Sequence, residues 1–174
     1  MNTSHAPVYT TDDYAHSATA GDYAHATATG GHAHATTTGD YAHATTTGAY
    51  AHATTAGGFA HATTTGNDAH ALTAGNDAHA LTAGYSAHAT TTGQRAHATA
   101  TGDRAKTSAT GENAIAAAFG ANSYARAANG GFIVLAQYDE DTVVAVKTAQ
   151  VGKDGIKPDT WYTLSPTGEF VEAE

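Results

Sequence analysis

Residues 39–47 read GDYAHATTT, and residues 66–83 read GNDAHALTA twice in succession. Outward from these copies the same unit, Gly-x-x-Ala-His-Ala-Thr-Thr-Thr, runs thirteen times from residue 12 to residue 128. With Gly as position 1, position 4 is Ala in twelve copies and Ser123 is the exception. Position 6 is Ala except at Ser17 and Thr107, and position 8 is Thr or Ala throughout. Side chains alternate across a strand, so positions 4, 6 and 8 share one face. That face takes only small residues, as a thin two-layered interior would require. Positions 5, 7 and 9 accept His, Thr, Leu, Lys, Arg and Tyr and therefore point to solvent.

Nine residues do not close a coil, because a short strand needs a return strand to cover its buried face. Two units per coil, eighteen residues, is the natural closure and gives about six and a half coils, or about 31 Å of rod at the usual strand spacing. Gly at position 1, with Asp, Asn or Gly common at position 2, is expected to supply the bend where positive φ is needed. The fold class is thus all-β, a parallel β-solenoid of stacked repeats, with the hand of the coil left open. Composition alone, with aromatics at 8% and Ala, Thr and Gly dominant, also fits low-complexity disorder. The strictly kept positions within the period favour the solenoid.

The chain divides into an N-terminal lead-in (residues 1–11), the array (12–128) and a compositionally distinct tail (129–174). In the tail, FIVLAQY (132–138) and VVAVKTAQV (143–151) read as strands joined by an acidic turn at 139–142. Residues 161–164 and 169–171 follow as strands around the turn Ser165-Pro166-Thr167-Gly168. The expectation is a small antiparallel β unit capping the last coil, since an open solenoid end is a free edge. Ile115, Phe119 and Tyr124 make the final repeats more apolar, as a docking surface for that cap would need.

Net charge is −9, with the array contributing −4 and the tail −5. A binder of nucleic-acid backbone needs a basic stripe, and none is present. Without cysteine there is no disulfide framework and no thiolate metal site. The first residues show no basic and apolar signal pattern and no window suggests a membrane span, so a cytoplasmic protein is expected. A calcium-binding nonapeptide roll is excluded because position 6, where its ligand Asp would stand, is Ala. No acid–base pair, activated nucleophile or phosphate-cradling loop is repeated, so no enzyme activity and no cofactor are expected.

Three rows carry the candidate binding chemistry. Position 5 is His in ten consecutive units, His16, His25, His34, His43, His52, His61, His70, His79, His88 and His97. Two units per coil split these into two ladders of five with neighbours about 4.8 Å apart. Such a ladder is either a structural stack or a site for zinc, nickel or copper. Stacked like charges resist protonation, which predicts lowered pKa values and stability lost in acid. Positions 7 and 9 give Thr-x-Thr pairs on one sheet, Thr27/Thr29, Thr45/Thr47 and Thr63/Thr65, the flat hydroxyl array that ice-binding solenoids present. Position 3 is aromatic early in the array, at Tyr14, Tyr23, Tyr41, Tyr50 and Phe59, with His32 in the series. These rings are the candidate partner-binding residues, set against a role in stiffening the turns.

The tail from Gly152, GKDGIKPDTWYTLSPTGEFVE, and the Gly-Asp-x-Ala-x-Ala-x-x-Thr units together resemble a family of uncharacterised phage and prophage proteins. Members carry nonapeptide arrays of the Gly-Asp-x-Ser-Ala-Ala-Ser-Ala-Thr kind followed by a C-terminal domain of unknown function. The present chain departs from them in placing His at position 5, where small residues are usual. The resemblance implies a phage origin and brings no biochemical role with it. The resulting expectation is a non-catalytic binding or structural rod that engages a host or phage protein, a host defence factor among the options. Self-association through an end or a side of the solenoid also fits. The alternative is a ligand array, for ice through the Thr columns or for metal through the His ladders.

Overall fold

A computed structural model of the chain describes residues 7–173. Fourteen short strands open the fold. They are β1 (Val8–Thr11), β2 (His16–Ala20), β3 (His25–Thr29), β4 (His34–Thr38), β5 (His43–Thr47), β6 (His52–Ala56) and β7 (His61–Thr65). The series continues with β8 (His70–Ala74), β9 (His79–Ala83), β10 (His88–Thr91), β11 (His97–Ala100), β12 (Lys106–Ala109), β13 (Ile115–Ala118) and β14 (Tyr124–Ala127). Four strands form the tail, β15 (Phe132–Asp139), β16 (Thr142–Gln150), β17 (Tyr162–Leu164) and β18 (Phe170–Glu172).

Successive strands alternate between two nine-stranded sheets. Odd-numbered strands β1 to β15 followed by β16 make one sheet, called here the odd sheet. The even-numbered strands β2 to β14, followed by β17 and β18, make the other, called the even sheet. Within each sheet the repeats are parallel and eighteen residues apart, as in His25↔His43 and His34↔His52, so two units form each coil. The result is a parallel β-solenoid of about seven turns, as the period predicts.

The pleat places position 4 and position 6 inward in every described repeat, and the alanines there are almost wholly buried. Position 8 completes the interior with Thr37, Thr46, Thr55, Thr64, Thr73, Thr82 and Thr91, all buried. Among the described residues, large side chains enter the core only at the C-terminal end, where Ile133, Leu135, Val151, Ile156 and Tyr162 fill the last coil. Each layer is therefore built from methyl groups, and the coils gain stability chiefly from their neighbours along the rod.

At the corners the structure corrects one expectation. Glycine at position 1 does adopt positive φ, from 124° to 157° between Gly21 and Gly84, but position 2 does not. The left-handed residue is position 3, with φ between 52° and 69° from Tyr23 to Asn122. The N–H of position 4 bonds back to the carbonyl of position 1, as in Ala24 to Gly21 at 3.1 Å, closing a tight turn with positive φ at its third residue. Glycine is needed at position 1 because the coils touch there. A Cβ on Gly66 would overlap the Gly48 carbonyl of the preceding coil. Position 2 has a different task. Its side-chain oxygen accepts from the position-2 N–H of the next coil, as when the Gly58 N–H donates to Asp40 Oδ1 at 2.7 Å and the Gln94 N–H to Asn76 Oδ1 at 3.1 Å.

Both ends of the array extend past the sequence count. The lead-in contributes β1, whose Val8↔Ala26 and Thr10↔Ala28 register makes it a degenerate half-coil. Past residue 128, β15 remains parallel to β13, with Ile115 facing Phe132, a spacing of seventeen instead of eighteen. The small antiparallel cap expected from the tail is present, and it is made of two hairpins. The β15–β16 hairpin extends the odd sheet, and β17–β18 joins the even sheet through Ala125↔Tyr162.

Candidate binding surfaces

The ten position-5 histidines stand outward in two straight ladders of five, one on each sheet. Adjacent rings in a ladder lie 4.7–4.9 Å apart, and six of the eight stacked pairs are within 4° of parallel. The two exceptions, His70–His88 at 26° and His79–His97 at 21°, close the ladders. Partial burial lowers the pKa of His34, His43, His52, His61, His70, His79 and His88, and the neighbouring cations lower it further. For His88 that neighbour is Lys106, which continues the ladder beyond the last imidazole.

Such stacking suits packing better than chelation. Ring nitrogens of two parallel imidazoles offer lone pairs that run side by side, whereas one zinc ion needs ligands converging to about 2.0–2.1 Å. Among the described residues, no group of three or more His, Cys, Asp or Glu side chains is placed to hold a metal ion. No repeated carboxylate orients the rings either.

The Thr columns also form as the spacing predicts. Thr27, Thr45 and Thr63 align at position 7 of the odd sheet, and Thr29, Thr47 and Thr65 align at position 9. Leu81 and Ala83 interrupt both columns on the next strand, and Leu81 is 41% exposed.

The aromatic residues of position 3 do not form one surface. Eighteen residues per coil send Tyr14, His32 and Tyr50 to one edge of the solenoid and Tyr23, Tyr41 and Phe59 to the other. On each edge the rings stack face to face at 5.0–5.2 Å. Further along, the stack gives way to charge. Asp77 and Arg95 follow Phe59 on its edge and form an ion pair at 2.6 Å.

Two features depart from the repeat. Where the ladder of the even sheet ends, Trp161 from the tail lies over the Arg126 guanidinium at 4.6 Å and near Lys106 at 5.7 Å. Arg126 also donates to Ser108 at 2.9 Å, so tail and array are clamped together there. The available signal was the simultaneous loss of His and Thr at Lys106, Tyr124 and Arg126. The second feature is an open cleft of about 320 Å³ between the last corner and the two hairpins, lined in part by Asn122, Ser123, Gln137, Tyr138, Glu140 and Pro166. It brings in one carboxylate, Glu140, with no His, Lys or second acid to pair with it. Compared with protein families, curated proteins and solved structures, the chain matches none.

Proposed function

We propose that the chain is a rigid, non-catalytic rod that binds a macromolecular partner through the ridge formed by Tyr23, Tyr41 and Phe59. One observation carries this reading. These three rings stack along a single edge, 65%, 42% and 47% exposed, on backbone that is left-handed at each residue. A bulky residue there costs on the order of 1–2 kcal/mol, and stacking returns only about 0.5–1.5 kcal/mol. Other units meet the same corner with Asp68, Asp77, Asn113 or Asn122, residues that tolerate this conformation better. Folding alone therefore gives no reason for the rings. A local rule broken without compensation, on an exposed apolar strip, is the mark of a contact surface.

Support for a non-catalytic role comes from the outward rows. Their titratable groups run parallel and do not converge, and the cleft at the cap holds a single carboxylate. The tail resemblance adds a phage or prophage setting to the proposal, with a host protein such as a defence factor, or another phage protein, as the partner class and the bacterial cytoplasm as the place. Membrane and nucleic acid stand outside the proposal.

Capture from host lysate by the intact chain tests it. The variant Tyr23→Ser/Tyr41→Ser/Phe59→Ser is expected to lose the captured protein, and Tyr14→Ser/Tyr50→Ser on the opposite edge is expected to keep it. Unchanged capture by the triple variant would discard the ridge. One observation favours a second reading, ice binding, because the six Thr hydroxyl positions do form two straight columns on one sheet. Thermal hysteresis that vanishes in Thr45→Val/Thr63→Val would establish that reading in place of the first.

A further inference from the structure

From β2 to β14 the outer face of the even sheet is free of carboxylates, in a chain whose net charge is −9. Every acid of residues 12–128 stands at positions 1 to 3, on the corners, and none at positions 5, 7 or 9. The strand register aligns His16, His34, His52, His70, His88 and Lys106 in one row on this face. In step at the usual strand spacing, the row spans about 24 Å. Just past its end stands Arg126, with the Trp161 ring against its guanidinium at 4.6 Å. Nε of Arg126 donates to Ser108, and its two terminal nitrogens make no hydrogen bond among the described residues. Neither Lys106 nor Arg126 joins an ion pair among those residues. The odd sheet carries the same ladder without this ending, because Ile115 and Phe132 follow His97.

We propose that this face binds a linear phosphate chain, anchored by Lys106 and Arg126 and gripped along the row by the histidines as they take up protons. Shape and spacing select among polyanions. The imidazoles stack on one another at 4.7–4.9 Å, so no open ring faces remain along the row as platforms for nucleic-acid bases. An acidic strand shows side chains on one face only about every 6.6 Å, out of step with the row. Asp13, Asp68 and Asp103 occupy the corner beside the row and turn away a wide polyanion such as duplex DNA. A bare phosphate chain is narrow, carries charge on every unit and needs no platform. Thr36, Thr54 and Thr90 line the other side of the row with hydroxyl donors, interrupted at Leu72. Other charges around the histidines are few. His32 lies beside His34 and His52, Asp68 beside His70 and His88, and Lys106 beside His88. Arg104 shares the Lys106 corner and lies over Tyr85 at 5.5 Å. From the tail, the Asp159 N–H donates to the Ala127 carbonyl at 3.0 Å. This face is distinct from the Tyr23/Tyr41/Phe59 ridge and does not depend on it.

Trp161 is the chain's single tryptophan, so its fluorescence reads the anchor, and calorimetry reads the same titration independently of emission. The full chain is expected to bind long-chain inorganic polyphosphate saturably at pH 6 and more than about tenfold less tightly at pH 8, with circular dichroism following the fold. High salt should weaken binding at both pH values. Lys106→Gln is expected to weaken binding at both pH values, and His34→Thr/His52→Thr/His70→Thr to abolish the gain in acid. The odd-sheet counterpart His43→Thr/His61→Thr/His79→Thr is expected to bind as the wild type does. That pattern, with orthophosphate far weaker than the polymer, supports the proposal. No saturable binding at pH 6, equal affinity at the two pH values, or an equal loss in the odd-sheet variant overturns it. Tighter binding of single-stranded DNA or polyglutamate than of polyphosphate overturns it as well and assigns the face to another polyanion.

Discussion

Lowering the pH from 8 to 5 should destabilise this protein through its histidine ladders. Burial and neighbouring cations hold the folded-state pKa of seven ladder residues below the ordinary value of 6.5. The unfolded chain therefore takes up protons first as the pH falls through about 6.5, and stability drops from there until the folded ladders are protonated too. Above about pH 7.5 the histidines are neutral in both states and contribute no pH dependence. At 4.8 Å, two imidazolium charges repel by about 0.9 kcal/mol even at the dielectric constant of water. Over the five stacked pairs among those seven residues the repulsion comes to about 4 kcal/mol before ionic screening, against the roughly 5–15 kcal/mol that stabilises a typical domain.

Thermal melting followed by circular dichroism should show this as a Tm lower by roughly 10–15 °C at pH 5 than at pH 8 in dilute salt. About 1 M salt shortens the Debye length to about 3 Å, inside the ring spacing, and should return a large part of the loss. The variant His34→Thr/His70→Thr/His43→Thr/His79→Thr leaves no two histidines adjacent in either ladder, while Thr keeps strand preference. It should lose much less stability at pH 5 than the wild type, keeping only the part that burial of the remaining histidines causes. Equal Tm of the wild type at pH 5 and pH 8, or an equal acid loss in the variant, would refute the ladder argument.

Gly66→Ala sets a methyl group against the Gly48 carbonyl and should cost about 3 kcal/mol or more in urea denaturation, whereas Gly58→Ala, at position 2 without positive φ, should be nearly silent. Thr64→Val replaces a buried hydroxyl that has no hydrogen-bond partner with a methyl of the same shape and should leave Tm unchanged or raise it; a clear drop would mean that hydroxyl is bonded in solution. Tyr41→Asn exchanges a strained ring for a residue that fits left-handed backbone, so stability should move by less than about 0.5 kcal/mol while partner capture falls. A large loss of stability there would return the ring to a purely structural role.

The coil, its two faces and the histidine columns were legible because each follows from one periodicity acting on another. An alternation of two sorts residues in or out, and a repeat of nine doubled to eighteen sorts them onto two sheets. The same arithmetic divides the rings between two edges, since Tyr23 and Tyr41 differ by one coil while Tyr14 and Tyr23 differ by half of one, although along the chain they read as a single cluster. Position 3 was hard to read as the left-handed residue because Tyr, Phe and Arg in many units mask the signal that Asp68, Asp77, Asn113 and Asn122 carry at the same corner. β1 was hidden because Val8, Tyr9 and Thr10 lack the Ala-His-Ala signature although they fill the same slots. One residue fewer at the turn before Phe132 broke the count, so a strand that is half solenoid and half hairpin read as the start of a separate unit.

A repeat array makes departures from its own rule informative in a way that a globular core does not. Each coil meets nearly the same neighbours, so equivalent positions are replicate solutions of one packing problem, and stability is close to a sum over identical interfaces. Where the same position is filled by Asp, Asn or Ser in later units and by Tyr or Phe in earlier ones, packing cannot explain both. Strand edges follow the same logic. Every strand from β3 to β15 is flanked on both sides by its sheet and needs no protection, so only the terminal strands expose the choice between guarding an edge and offering it. β18 is short and ends one sheet safely. β16 is long, and it ends the other with a bulge at Val144 and with Lys147 turned to the inner face opposite Leu135.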